Sequence, residues 1–254
     1  MTKLYQKSPL GFALVWIGIY VGVMNLAMQL CGGFDDLPSK TPGQLAVPVG
    51  CILLLAVLVT VWVRRNGLTG RFGLCRFRGS PGEFAWFVPL IVLSATNLKN
   101  GLCLPAPLPV AVLMAVNLAA AGYVEEVIFR GFLFRAMEQD GLKSAVIVSA
   151  VTFGVGHIVN LGNTADTLGV LLQVCYAIAI GFLYTILVYK GGSLWPCVFS
   201  HVFVNGSSVF AAGQGPFTEL FPSPAAAQIA DAALIIAVSG GYALWLLGRG
   251  GKKM

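Results

Sequence analysis

The sequence contains little charge. Asp, Glu, Lys and Arg make up 10% of its 254 residues, whereas soluble chains carry about 25%. Hydrophobic residues make up 57% of the chain, and its mean hydropathy is +0.83. This composition excludes a soluble globular domain. Repeated apolar runs of about 20 residues predict an all-α polytopic membrane protein.

Two further features limit the possible functions. None of the six cysteines forms a C-x-x-C pair, and most lie in or beside apolar runs. They are therefore expected to be small buried hydrophobes rather than a disulfide framework or a thiolate metal site. The net charge is +6, but the cations lie in the loops between apolar runs, as in membrane proteins. We expect the chain to contact a lipid bilayer and no nucleic acid.

The apolar runs predict about eight transmembrane helices in a single domain covering residues 1–254. The predicted spans are 9–31, 44–63, 84–98, 108–134, 144–161, 168–189, 194–212 and 225–248. The third of them is short and interrupted by Pro89, so a partly re-entrant segment is an alternative there.

The basic residues predict the orientation. Eight spans place both termini on one side of the membrane. With the N-terminus in the cytoplasm, that side collects Lys3, Lys7, Arg64, Arg65, Arg71, Arg76, Arg78, Arg135, Lys143, Lys190, Arg249, Lys252 and Lys253. The opposite side holds only Lys40 and Lys99. The positive-inside rule therefore predicts that both termini are cytoplasmic. We expect an integral protein of a bacterial cytoplasmic membrane.

The fourth span contains three ionisable side chains, Glu125, Glu126 and Arg130. Insertion scales put the cost of each at a helix centre at roughly 2.5–3.5 kcal/mol. Glu126 and Arg130 are four residues apart, so a helix places them on one face as an ion pair. Glu125 points about 100° away and has no local cation. The two carboxylates are therefore expected to titrate differently.

The chain has only two histidines, and both lie in apolar runs. At 1.5 Å per residue, Glu125 lies roughly 15 Å, His201 roughly 16 Å and His157 roughly 21 Å from the cytoplasmic side. These depths coincide near one level of a ~30 Å hydrocarbon core. Asn205 shares a helix face with His201, and Phe153 shares one with His157. The sequence therefore predicts that these polar groups meet.

Such a cluster suits hydrolysis. A carboxylate and a histidine can hold a water and take its proton, while a second histidine and an amide can stabilise an oxyanion. Alternatively, Glu125, His157 and His201 could bind zinc and activate the same water. A structural interpretation also remains open, because an intramembrane histidine can serve as an interhelical hydrogen-bonding group.

The motifs resemble those of the CPBP family (CAAX proteases and bacteriocin-processing enzymes, also called Abi), which includes the type II CAAX prenyl endopeptidases. The resemblance lies in Glu-Glu-x-x-x-Arg at 125–130, Phe-x-x-x-His at 153–157 and His-x-x-x-Asn at 201–205. The three motifs occur in the family's order in successive helices. They define an expected catalytic core at residues 108–212.

The resemblance implies an eight-helix intramembrane protease fold with a cavity open toward the cytosol. It implies that Glu125 is the general base, assisted by His157, and that His201 and Asn205 stabilise the oxyanion. The implied mechanism is of the glutamate type with no obligatory metal. The metalloprotease-like alternative uses Zn²⁺.

Three residues are expected to support the site rather than to react. The resemblance implies that Glu126 and Arg130 hold it together, and Phe153 is expected to pack against it.

Asp231, near the outer end of the last span, is expected to reach the membrane interface.

The implied function is an intramembrane endopeptidase that cuts near the tail of a lipidated or helix-anchored protein or peptide. The mostly short loops favour a substrate that is itself tethered to the membrane. Two other functions remain open. Intramembrane Glu, His and Arg also form the relays of proton-coupled transporters, and a non-catalytic binder of membrane proteins could use the same fold.

Overall fold

The long apolar runs fold into helices in the computed structural model, which describes residues 1–77 and 79–248. Within these residues, six helices are long and apolar enough to cross a membrane. They are Pro9–Leu30, Pro42–Arg65, Leu108–Asp140, Leu142–Gly162, Thr167–Gly191 and Pro224–Gly248. The predicted all-helical membrane fold is confirmed. Four basic residues used to predict the orientation, Arg78, Arg249, Lys252 and Lys253, lie outside the described residues.

The α-helices are numbered in chain order. They are α1 (Thr2–Lys7), α2 (Pro9–Leu30), α3 (Pro42–Arg65), α4 (Pro81–Phe84), α5 (Val88–Ala95), α6 (Leu108–Glu126), α7 (Phe134–Met137), α8 (Leu142–Gly156), α9 (Thr167–Gly191), α10 (Trp195–Ser208) and α11 (Pro224–Gly248). A π-helical segment, Val127–Leu133, joins α6 to α7. A 3-10 turn, His157–Gly162, continues α8.

Two of the predicted spans, 84–98 and 194–212, contain only short helices. Helix α5 has 8 residues, and α10 has 14 residues, which corresponds to about 21 Å at 1.5 Å per residue. The chain on either side of α10 nevertheless reaches opposite ends of the bundle. Leu194 N donates to Gly73 O at one end, and Cys103 N donates to Phe210 O at the other. The count of eight membrane spans therefore stays a prediction.

Small residues allow the central helices to approach closely. A Cβ atom on Gly154 of α8 would lie 2.6 Å from Ile178 N and 2.9 Å from Val174 O, both in α9. Along the same interface, Gly181 of α9 faces the backbone of Ala150. Backbone contact of this kind gives tight van der Waals packing, which is the main source of helix association in a bilayer.

An aromatic cluster closes the end of the bundle where α1, α2, α3 and the π-helical segment meet. The ring centroids of Phe12 and Trp62 are 4.3 Å apart. Phe132 lies 5.0 Å from Phe12 and 4.9 Å from Phe72. These contacts, many of them edge-to-face, anchor the segment that carries Arg130.

The opposite end is fixed by hydrogen bonds between connecting loops. Thr164 Oγ1 donates to Asp35 Oδ1 at 2.6 Å, and Ala165 N donates to Asp35 Oδ2 at 2.8 Å. The bond from Thr164, followed by that from Ala165, holds the pKa of the Asp35 carboxyl below its usual value. Phe34 N donates to Asn163 O in the same connection. The loop after α2 is thereby tied to the start of α9.

The packing of α8 against α9 predicts the effect of a single added methyl group. Gly154→Ala should lower the free energy of unfolding by about 1–3 kcal/mol, because its Cβ overlaps the backbone of α9. Gly156→Ala is the matched control, since a Cβ there meets no atom within 4 Å. Thermal unfolding in detergent measures both variants. Equal melting temperatures for the two would contradict the close approach of these helices.

The predicted orientation can be tested with two native cysteines at opposite ends of the bundle. In chains that keep only Cys103 or only Cys75, a membrane-impermeant thiol reagent should label Cys103 in intact cells and Cys75 only after lysis. This follows from the positive-inside rule, since Cys103 lies on the side of Lys99. The reverse labelling pattern would place the termini outside.

Candidate active site

The predicted ion pair lies at the centre of the polar cluster. Arg130 Nη1 lies 2.9 Å from Glu126 Oε1, and neither side chain is exposed. The guanidinium stacks on the Phe153 ring at 4.0 Å and lies 5.5 Å from the Tyr184 ring. Its Nε and Nη2 atoms have no hydrogen-bond acceptor among the described residues, so the aromatic faces provide its remaining stabilisation. Phe153 therefore supports the cation directly.

His201 connects this ion pair to the second carboxylate. Its Nδ1 lies 2.9 Å from Glu126 Oε1, and its Nε2 lies 3.3 Å from Glu125 Oε2. The two carboxylates were expected to point in different directions, but both reach the same imidazole. Gly122 permits this, because a Cβ at that position would lie 3.2 Å from the backbone of His201. The close approach of α6 and α10 thus builds the cluster.

Glu125 has a further partner that the sequence motifs do not reveal. The Tyr20 hydroxyl, on α2, donates a hydrogen bond to Glu125 Oε1. Glu125 Oε2 has no hydrogen-bond partner among the described residues and faces His201. The only sequence signal for Tyr20 is a polar-tipped ring within an apolar run. Tyr20 and Glu125 are far apart in the sequence, so no helical spacing predicts that the two side chains meet.

His157 and Asn205 complete the predicted cluster. His157 Nδ1 lies 3.0 Å from Phe153 O, which leaves Nε2 for other partners. Asn205 Nδ2 donates to Leu118 O at 3.2 Å. His157, Asn205 and Glu125 all line one cavity of about 320 Å³. The structure therefore brings the four predicted reactive residues to one place.

The π-helical segment follows directly after the two glutamates and contains Arg130. Phe134 N donates to Phe129 O, which is a wider turn than an α-helix makes. Ser149 Oγ, on α8, donates to the same Phe129 carbonyl at 2.9 Å. Such π segments frequently occur at functional sites. The motif spacing alone gave no indication of it.

Two cavities border the cluster. The first extends from Glu125 between α2, α6 and the start of α9, as far as Phe34 and Asn163. The second, of about 190 Å³, touches His157 and His201 and extends to Asp231. Asp231 forms an ion pair, because its Oδ2 lies 2.8 Å from Lys99 Nζ.

The direction of the cavities affects two of the expectations. Both cavities extend toward the end of the bundle that carries Phe34, Asn163 and Lys99. The basic residues predict that this end faces away from the cytoplasm, whereas the family resemblance implies a cavity open to the cytosol. In this structure the two expectations are incompatible. The cysteine-labelling experiment decides between them.

The residues of the zinc alternative do not form a metal site in the described part of the chain. No group of three His, Cys, Asp or Glu side chains there is arranged to hold a metal ion. Both nitrogens of His201 face carboxylate oxygens, and Nδ1 of His157 is directed to a backbone carbonyl.

The fold and the site together define an integral membrane protein with a buried carboxylate–imidazole–guanidinium cluster beside a polar cavity. A family model described as type II CAAX prenyl endopeptidase Rce1-like matches residues 107–207, less than half of the chain. All three motifs lie within the matched residues. The match supports the resemblance to a CAAX protease family over this part of the chain. Searches of curated proteins and of solved structures find no match to the chain.

The buried ion pair predicts a strong effect of Arg130→Ala. Removing the guanidinium should lower the free energy of unfolding by about 3–5 kcal/mol, because Glu126 is left buried without its cation. Arg135→Ala is the matched control: it breaks a partly exposed pair with Glu138 at 3.0 Å and should cost about 0–1 kcal/mol. Folded yield and thermal unfolding measure both. Equal losses for the two variants would refute the structural role of Arg130.

Proposed function

We propose that this protein is an intramembrane endopeptidase that hydrolyses a peptide bond near the tail of a membrane-anchored protein or peptide. The observation that carries the proposal is the setting of Glu125. This carboxylate is 9% exposed, has one unpartnered oxygen, and lines a cavity together with an imidazole and an amide. The match to a CAAX protease family model supports protease activity in general; the mechanism and the substrate are our proposals.

Glu125 acts as the general base on water. Its carboxylate takes one proton from a water molecule while the water oxygen attacks the carbonyl carbon of the scissile bond. His157, on the same cavity, helps to hold that water. The Tyr20 hydroxyl donates to Oε1 of Glu125 and so leaves Oε2 for the proton. The C–N bond then breaks as Glu125 passes the proton to the leaving nitrogen, giving a new carboxyl and a new amine.

His201 and Asn205 stabilise the oxyanion that forms at the attacked carbonyl. Nδ1 of His201 lies 2.9 Å from Glu126 Oε1, and this contact fixes the orientation of the ring. Nε2 can then donate to the oxyanion, as can the second amide hydrogen of Asn205. In the free protein Nε2 lies 3.3 Å from Glu125 Oε2, so the oxyanion forms beside the base.

Glu126, Arg130 and Phe153 act as positioning residues. Arg130 pairs with Glu126, Glu126 orients His201, and the Phe153 ring lies against the guanidinium and edge-on to both imidazoles. We propose that this arrangement needs no obligatory metal, since a carboxylate can activate the water without one.

A cleavage assay with membrane-anchored tails tests the proposal. Glu125→Gln should lower the cleavage rate by about 10²–10⁴-fold, because the amide cannot accept the proton of water. Glu138→Gln, the matched control at the partly exposed ion pair, should cleave at the wild-type rate. Cleavage by the wild type should survive a strong chelator.

The other outcomes assign the alternatives. Loss of activity with chelator and recovery with zinc would make Glu125, His157 and His201 metal ligands. Proton flux in liposomes that stops with Glu125→Gln, without any cleavage, would favour a transporter. Tail binding that is unchanged by Glu125→Gln, again without cleavage, would favour a non-catalytic binder.

A further inference from the structure

The first cavity, which contains Glu125, is lined by an unusual number of side-chain amides. Six of its lining residues carry a carboxamide: Asn25, Asn117, Asn160, Asn163, Gln173 and Asn205. Among the described lining residues, Glu125 is the only Asp, Glu, Lys or Arg. Carboxamides both donate and accept hydrogen bonds, and buried polar groups in a membrane are costly unless paired. A cavity of this composition suits a ligand with alternating donors and acceptors and no charge.

Two of these amides have an unused acceptor. Asn117 is 2% exposed and Asn163 is 6% exposed, and the Oδ1 atom of each has no hydrogen-bond partner among the described residues. The Asn117 amide nitrogen contacts only the weakly accepting Met28 sulfur, at 3.7 Å. Native proteins rarely leave such acceptors unpaired. Both oxygens therefore point to a ligand that brings N–H donors.

Two other amides are held in place by the protein itself. Asn160 Nδ2 donates to Gln173 Oε1 at 3.0 Å, and Asn25 Nδ2 donates to Val159 O at 3.1 Å. These bonds connect α2 and α9 to the turn after His157. The lining is thus pre-organised, which lowers the cost of ordering it when a ligand binds.

We infer that this cavity binds an extended, uncharged peptide segment through its backbone, with Asn117 and Asn163 accepting N–H groups of that segment. An extended backbone presents N–H and C=O groups in alternation, which matches the carboxamide lining. A free C-terminal carboxylate or an acidic side chain would find no Lys or Arg among the described lining residues and would lie beside Glu125. The inference rests on the proposed function and deepens it, because it makes the cut internal to an uncharged stretch rather than next to a free terminus.

An ester scan tests the inference without requiring turnover. The probe is a single-span helix with a tail of about ten Ser, Thr and Gly residues, and its binding is measured on the Glu125→Gln protein. Each tail amide is replaced in turn by an ester, which deletes one N–H donor. At one or two adjoining positions the ester should weaken binding by about five- to a hundredfold, since it leaves a buried acceptor unpaired.

Two matched controls make the test specific. In the Asn117→Leu protein, one ester effect should disappear, as a double-mutant cycle requires for a direct contact. The effect should persist in Asn97→Leu, because the Asn97 amide lines the second cavity and bonds Val204 O and Ser207 Oγ. A tail with Asp in place of Ser should bind at least tenfold more weakly than the neutral tail.

Several outcomes would overturn the inference: no saturable binding of the neutral tail, equal binding of the acidic tail, or no ester-sensitive position. If Asn117→Leu does not fold, the ester scan on the Glu125→Gln protein, which retains Asn117, still shows whether the cavity binds the tail through its backbone. A protein that shows the ester effect but cuts nothing would refute the endopeptidase proposal alone. A protein that cuts tails without any ester effect would refute only the peptide site.

Discussion

The fully buried ion pair between Glu126 and Arg130 is the constraint on which the rest of the structure depends. Two charges in an apolar interior are stable only when they are paired and surrounded by compatible groups. Phe153 and Tyr184 supply aromatic faces for the guanidinium, and His201 bonds the carboxylate. These partners lie on three different helices, so satisfying one ion pair fixes the relative positions of α6, α8, α9 and α10.

That fixed frame determines the chemistry of the neighbouring carboxylate. Oε1 of Glu126 faces both Arg130 and His201, whereas Glu125 is bonded by Tyr20 and lies at the edge of a cavity. In the mechanism that we propose, Glu126 has a structural role and Glu125 is the residue that reacts. His157 and Asn205 reach the same cavity from other elements, which gives the site its second imidazole and its amide.

The polar core of the site could be predicted from the sequence because it depends on helical spacing and depth. The four-residue separation of Glu126 and Arg130 predicts their contact, and similar depths in the membrane predict that His157, His201 and Asn205 meet Glu125. Tyr20 and Asn117 could not be predicted in this way, since interhelical rotation, which no local spacing encodes, brings them to the site. The π-helical segment is bonded by Ser149 of α8, a contact that local spacing does not encode either.

The central claim is that Glu125 activates a water which attacks the peptide bond directly. A single turnover in H₂¹⁸O, analysed by mass spectrometry of the new carboxyl terminus, tests it most directly. Direct attack predicts one ¹⁸O atom in every product carboxylate of the first turnover. First-turnover products without ¹⁸O would show that Glu125 attacks the substrate itself and forms a covalent intermediate, and the absence of any product would contradict a hydrolytic site.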